Sequence, residues 1–128
     1  MSTKLLKMED LYQEIIFEQL KHPHHYGVTV GAQIEVTQTN TSCGDQVTIY
    51  IKDDQLTWTG QGCAISQAAM SLLAYEINQK NISLDRIMTL NQKYLLNLVG
   101  LTTINLGRVK CLELGLSALR RVAVEFNP

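Results

Sequence analysis

Residues 47–59, VTIYIKDDQLTWT, contain two short runs of alternating side chains on either side of a pair of aspartates. The apolar positions are Val47, Ile49, Ile51, Leu56 and Trp58. Alternation of this kind is typical of half-buried β-strands, and two adjacent aspartates favour a tight turn. The stretch therefore predicts two antiparallel strands joined at Asp53-Asp54.

The chain before this hairpin predicts a helix and one more strand. Apolar residues recur with helical spacing from Leu5 to Leu20, and His22-Pro23 ends the helix because the residue before proline is pushed out of the helical region. Residues 28–36 alternate, with valine, alanine or isoleucine at each even position, so a strand is expected there. Residues 38–45 are polar and predict a loop.

The chain after the hairpin predicts helices. Apolar residues repeat at helical spacing from Ile65 to Ile77, and Ser83 suits the N-cap of a short helix beginning at Leu84. A further helix is expected to end near Val99, followed by an irregular stretch and a last helix that starts near Cys111. Strands and helices that are segregated along the chain predict one α+β domain over residues 1–128, with a three-stranded antiparallel sheet covered on one face by helices.

Composition excludes several functional classes. The chain has 11 Lys and Arg against 12 Asp and Glu, a balance that gives no electrostatic reason to expect nucleic-acid binding. No apolar run reaches the length of a membrane span, and the N-terminus does not resemble a secretory signal. We therefore expect a soluble, cytoplasmic protein, in which three cysteines serve metal binding, sulfur chemistry or simple burial.

The cysteines and one aspartate lie outside the periodic scaffold. Cys43 and Asp45 fall in the predicted loop between the first two strands, Cys63 lies where the third strand gives way to a helix, and Cys111 opens the last helix. Unpaired N–H groups at a helix start stabilise a thiolate, the form that binds metal and attacks sulfur. Three thiolates and one carboxylate would complete a tetrahedral zinc or iron site, although no Cys-x-x-Cys pair is present and ordinary buried cysteine is the alternative.

Several local motifs resemble the U-type iron–sulfur cluster assembly family, which comprises SufU, IscU and the N-terminal domain of NifU. The motifs are Leu11 to Ile16 followed by His22-Pro23 and Gly27, then Cys43-Gly44-Asp45, Gly60 to Ser66, and Arg108-Val109-Lys110-Cys111. They keep the family's order over nearly the whole chain. The resemblance implies a SufE/NifU-like fold.

The resemblance also implies a division of labour among the site residues. Cys43, Asp45, Cys63 and Cys111 would bind Zn²⁺, or alternatively iron as a [2Fe–2S] cluster. A cysteine desulfurase of the SufS or IscS/NifS type would donate sulfur, with Cys111 as the acceptor, Cys43 as the alternative acceptor and Arg108 assisting. Downstream apoproteins or a further scaffold would receive the product.

Within the family the motifs are nearer to SufU. Lys110 stands where IscU has a histidine, and Arg108 matches an arginine of SufU-like proteins. The chain also lacks one feature of each type. The Cys63–Cys111 segment lacks the full insertion of SufU, and the chaperone-binding motif of IscU is absent. A short SufU or an intermediate NifU-like form both remain open.

Other functions compete with this interpretation. A structural zinc domain used for protein binding would hold an inert metal, and removing it would only unfold the chain. A hydrolytic zinc enzyme is disfavoured because four protein ligands leave no position for water. His22, His24 and His25 are interpreted as helix-end residues rather than metal ligands.

Overall fold

The computed structural model describes residues 8–41 and 44–126 and confirms an α+β architecture. Its elements are α1 (Met8–Lys21), β1 (Ile34–Asn40), β2 (Asp45–Lys52), β3 (Gln55–Gln61), α2 (Ala64–Lys80), α3 (Leu84–Ile87), α4 (Gln92–Val99) and α5 (Leu106–Phe126). The predicted end of α1 before His22-Pro23 is confirmed. Among the described residues, no helix is both long and apolar enough to cross a membrane.

The three strands form one antiparallel sheet in the order β1-β2-β3. Asp53 and Asp54 have φ values of 51° and 66°, and positive φ at both central residues is the pattern of a two-residue hairpin turn whose twist matches the strands. The predicted aspartate turn is therefore confirmed. Alternate residues of the sheet are buried in the helix-facing core, namely Val36, Val47, Ile49, Leu56 and Trp58.

The first strand lies further along the chain than the alternation predicted. Residues 28–33 are not part of β1, and Val28 and Val30 are 65% and 85% exposed. Gly31 interrupts extended backbone with φ at 77°, while Tyr26 makes an isolated parallel bridge with Trp58 beside β3. β1 instead continues through Asn40 into the predicted loop, because each of its polar residues pairs with β2. A polar edge strand carries little hydrophobic signal.

The helices cover the core side of the sheet. α2 packs against β3, α5 packs against β1 and β2, and α1 packs against α2. α2 and α5 approach closely at Gly115, where a Cβ would lie 2.8 Å from the Met70 Sδ. The Ser83 hydroxyl accepts a hydrogen bond from the Arg86 amide at 3.2 Å, and Gly100 ends α4 with φ at 83°, so both predicted helix boundaries are confirmed.

The last helix begins earlier than predicted. α5 starts at Leu106, and Cys111 lies in its second turn. Residues 106–110 are exposed except for the half-buried Val109, so this first turn projects beyond the core. A helical turn with little burial has no apolar periodicity, which is why the sequence pattern placed the start at Cys111.

Candidate metal centre

Asp45 is the first residue of β2 and points toward the helices. It shares its face of the strand with Val47 and Ile49, because side chains alternate along a strand. The residue is 2% exposed. Its Oδ1 accepts a hydrogen bond from the backbone N–H of Cys63 at 3.1 Å, which ties the start of β2 to the start of α2.

Gly62 makes this close approach possible. Its φ is 128°, and a Cβ built on it would lie 2.2 Å from the Asp45 Oδ1 and 2.8 Å from the Asp45 Cα. Backbone cannot swing aside as a flexible side chain can, so any larger residue would displace the carboxylate or the chain. Glycine permits close approach of this kind because it has no Cβ.

Cys63 is the N-cap residue of α2, in extended conformation with φ −71° and ψ 159°. Its predicted place at a helix start is confirmed. The carbonyl of Cys63 accepts hydrogen bonds from the Gln67 amide at 3.3 Å and from the Ser66 hydroxyl at 3.0 Å. Backbone contacts therefore fix the residue, while its side chain stays partly exposed.

Cys111 reaches the site from the core side. It lies in the second turn of α5, so the prediction that it opens the helix was wrong, and it is only 4% exposed. Arg108 lies one turn earlier on α5 and is exposed, beside a hollow of about 270 Å³ whose wall includes Ile65 and Ile104. Lys110 is also exposed.

Three donor atoms converge between these elements. One carboxylate oxygen of Asp45 and the Sγ atoms of Cys63 and Cys111 all lie within 4.8 Å of one another. Zinc bonds of about 2.3 Å to sulfur and 2.0–2.2 Å to oxygen place tetrahedral ligand atoms roughly 3.5–4 Å apart. Two thiols and a carboxylate at this spacing fit three positions around zinc or iron. Cys43, the remaining predicted ligand, lies outside the described residues.

Two of the histidines that follow α1, His24 and His25, make contacts within the fold. The His24 ring packs on Tyr75 with centroids 4.7 Å apart, and the His24 carbonyl accepts the indole N–H of Trp58 at 2.8 Å. The His25 Nε2 is 2.7 Å from the Gln79 Oε1. No histidine of the described residues joins the group that could hold a metal ion.

Sequence comparison relates the chain to proteins of iron–sulfur metabolism. The model of the NifU-like N terminal domain family matches residues 11–127. The chain is 32% identical over 74 residues to the iron–sulfur cluster assembly scaffold protein IscU of Streptococcus pyogenes serotype M1, covering 54% of this chain and 46% of that protein. It is 31% identical over 80 residues to the zinc-dependent sulfurtransferase SufU of Bacillus subtilis (strain 168), covering 59% and 54% respectively. The chain thus spans about half the length of these curated relatives.

Two solved structures share the fold. A protein from Fervidobacterium islandicum AW-1, described as an iron–sulfur cluster assembly scaffold for the SUF system, aligns with a TM-score of 0.57 and 27% identity over 87% of this chain and 95% of that chain. The N-terminal part of a nitrogen-fixing NifU-like protein from Brucella abortus aligns with a TM-score of 0.65 and 17% identity, covering 95% and 100%. The second likeness bears on the fold alone.

Proposed function

The chain belongs to the NifU-like N-terminal domain family, and we propose that it acts in iron–sulfur cluster assembly by accepting sulfur from a cysteine desulfurase. The observation that carries this proposal is the convergence of Asp45, Cys63 and Cys111 within 4.8 Å. We assign Cys43 as the fourth ligand of the same site. We place the protein in the cytoplasm, where thiols stay reduced.

Zinc is the metal that this donor set suits best. Thiolates select zinc or iron–sulfur chemistry, and the carboxylate of Asp45 is the harder ligand and thus the natural one to exchange. When bound, zinc would hold the cysteines as thiolates and keep them from random oxidation. In the scaffold version of the function, iron and sulfide are cargo, and the same four residues hold a [2Fe–2S] cluster.

The Cys111 thiolate is the proposed sulfur acceptor, with Cys43 as the alternative. The thiolate attacks the outer sulfur of the desulfurase persulfide, that S–S bond breaks, and the desulfurase cysteine leaves as a thiolate. Because Cys111 is only 4% exposed, the desulfurase must open the site before transfer. Arg108, exposed one helical turn away, would contact the desulfurase or balance the charge of the incoming persulfide.

A structural zinc domain for protein binding is the second candidate function. The burial of Cys111 favours it, because a residue that is only 4% exposed is shielded from a sulfur donor. The two functions differ in whether a ligand cysteine takes up sulfur.

Metal and sulfur analysis of the purified chain, mixed with a cysteine desulfurase and cysteine, tests the proposal. Bound zinc, faster desulfurase turnover and a persulfide on Cys111 support sulfur transfer. Weak zinc with a [2Fe–2S] absorbance when iron is added supports the scaffold version. Zinc with neither response leaves the structural domain. Arg108→Ala with unchanged sulfur uptake would remove Arg108 from the mechanism.

A further inference from the structure

Cys63 and Cys111 bring two thiol groups together from distant parts of the chain. Their Sγ atoms lie within 4.8 Å of each other, whereas a disulfide bond measures about 2.05 Å. Closing this gap requires a local rearrangement at one or both cysteines. We propose that Cys63 and Cys111 form a disulfide when no metal ion holds them, so that oxidation of this pair and metal binding exclude each other.

Of the two cysteines, Cys63 is the better placed to make the required movement, although its carbonyl is held by the Gln67 amide and the Ser66 hydroxyl. As the N-cap residue it precedes the helical segment Ala64–Lys80, so a change in its conformation need not unwind α2. Gly62 before it, with φ at 128°, has no side chain to restrict the backbone. Cys111, by contrast, is held inside α5. The rearrangement is therefore expected at Cys63, with loss of its amide hydrogen bond to Asp45 as the main contact at risk.

The difference in exposure between the two thiols sets the order of the chemistry. Cys63 is partly exposed and Cys111 is 4% exposed, so a small disulfide reagent reaches Cys63 first. The Cys63 thiolate attacks one sulfur of the reagent, the S–S bond of the reagent breaks, and one reagent thiolate leaves. The Cys111 thiolate then attacks the Cys63 Sγ and expels the second reagent thiolate. The two cysteines together lose two electrons, and the reagent gains them and is reduced to two thiols.

Metal binding blocks this reaction because it uses the same sulfur electron pairs. An ion held by both cysteines must lose both of them before the disulfide can form, and the oxidised pair offers no thiolate to rebind it. Metal occupancy would therefore report the thiol–disulfide state of the surroundings. The disulfide step depends only on the two cysteines, whereas the protection by metal rests on the proposed function.

The test treats the wild-type chain, zinc-loaded or stripped with a chelator, with bis(2-hydroxyethyl) disulfide, a neutral reagent that Asp45 does not repel. Peptide mapping without reduction locates the products over time. We expect a Cys63–Cys111 linkage in the stripped protein, formed at least roughly tenfold faster than in the zinc-loaded protein, because zinc bound to both thiolates withholds them from thiol–disulfide exchange. A Cys43→Ser variant, which lacks the third thiol, should form the same linkage.

Single substitutions test the order of attack. Cys111→Ser should stop at the mixed disulfide on Cys63, and Cys63→Ser should leave Cys111 unmodified for at least roughly ten times longer, because reagent access limits the exchange rate. A linkage to Cys43 in the wild type, or equally fast modification of Cys111 in Cys63→Ser, would overturn the proposal. If either variant is unfolded by circular dichroism, the wild-type map decides. A Cys63–Cys111 linkage in a chain that binds no zinc would refute the mutual exclusion and the zinc-dependent function, but not the disulfide.

Discussion

Replacing Gly62 with alanine tests whether the close approach of Gly62 and Asp45 builds the metal site. The new Cβ would lie 2.2 Å from the Asp45 Oδ1, 2.6 Å from its Cγ and 2.8 Å from its Cα. At φ 128° an alanine is also strained, at a cost of about 1–3 kcal/mol. Either the carboxylate or the Gly62–Cys63 backbone must move.

The expected loss of stability follows from these terms. Breaking the hydrogen bond from the Cys63 amide to Asp45 costs about 1 kcal/mol beyond the backbone strain. A total of about 2–4 kcal/mol lowers the melting temperature of a domain of this size by roughly 10 °C. Displacing a ligand should also weaken zinc binding by roughly tenfold or more, since even outer contacts of a metal site have effects of that size.

Thermal unfolding of the metal-free protein and zinc competition with a chromogenic chelator measure the two effects separately. Gly107→Ala is the matched control, because a Cβ there meets only the Asn105 Oδ1 at an ordinary 3.4 Å. A helical Gly→Ala change should be neutral or stabilising by about 0.4–1 kcal/mol. If Gly62→Ala leaves both the melting temperature and zinc affinity at wild-type values, the described contact does not shape the site.

Three further changes probe separate parts of the molecule. Asp45→Asn keeps an oxygen for the amide hydrogen bond but removes the negative ligand, so zinc affinity should fall roughly tenfold or more while the metal-free melting temperature stays near wild type; equal zinc affinity in competition assays would argue against carboxylate ligation. Gly115→Val should destabilise the chain by about 1–3 kcal/mol in urea unfolding, because even a Cβ would lie 2.8 Å from the Met70 Sδ in the packed contact between α2 and α5; an unchanged midpoint would show that the two helices separate freely. Burial, with the hydrogen bond to Glu76, raises the pKa of Tyr94 from 10.0 to about 12, so this tyrosine stabilises the fold below pH 10 and that contribution is lost as the pH rises to about 12. In Tyr94→Phe the urea midpoint should therefore fall less between pH 10 and about pH 12 than it does in the wild type. Identical pH dependence in the two proteins would contradict the raised pKa of Tyr94.

Much of the fold could be predicted because its core follows regular periods. The hairpin turn at Asp53-Asp54, the helix cap at Ser83 and the end of α4 at Gly100 are local signals and were confirmed. β1 was misplaced because Val28 and Val30 alternate without being buried, while the true strand is polar and owes its place to pairing with β2. Apolar periodicity in a sequence indicates which side chains are buried. It cannot locate a strand that is held by hydrogen bonds to a neighbouring strand.

Three of the four predicted ligands, Asp45, Cys63 and Cys111, lie close together in the structure, whereas Cys43 lies outside the described residues. The contacts within this group could not be predicted from the sequence. The hydrogen bond from the Cys63 amide to Asp45 depends on tertiary distances that no spacing encodes. The burial of Cys111 was missed for the same reason, since its helix begins one turn earlier, in solvent.

The length of the Asp53-Asp54 turn affects the orientation of Asp45 at the opposite end of β2. It joins strands whose register sets Ile49 opposite Trp58 and leaves Asp45 on the helix-facing side. A one-residue insertion there that slid the β2–β3 pairing by one position would turn the side chains of one strand to the other face of the sheet. If β2 turned, Asp45, about 25 Å away at eight residues of roughly 3.3 Å each, would leave the helix-facing side. The length of this turn therefore contributes to the position of a metal ligand at the far end of the strand.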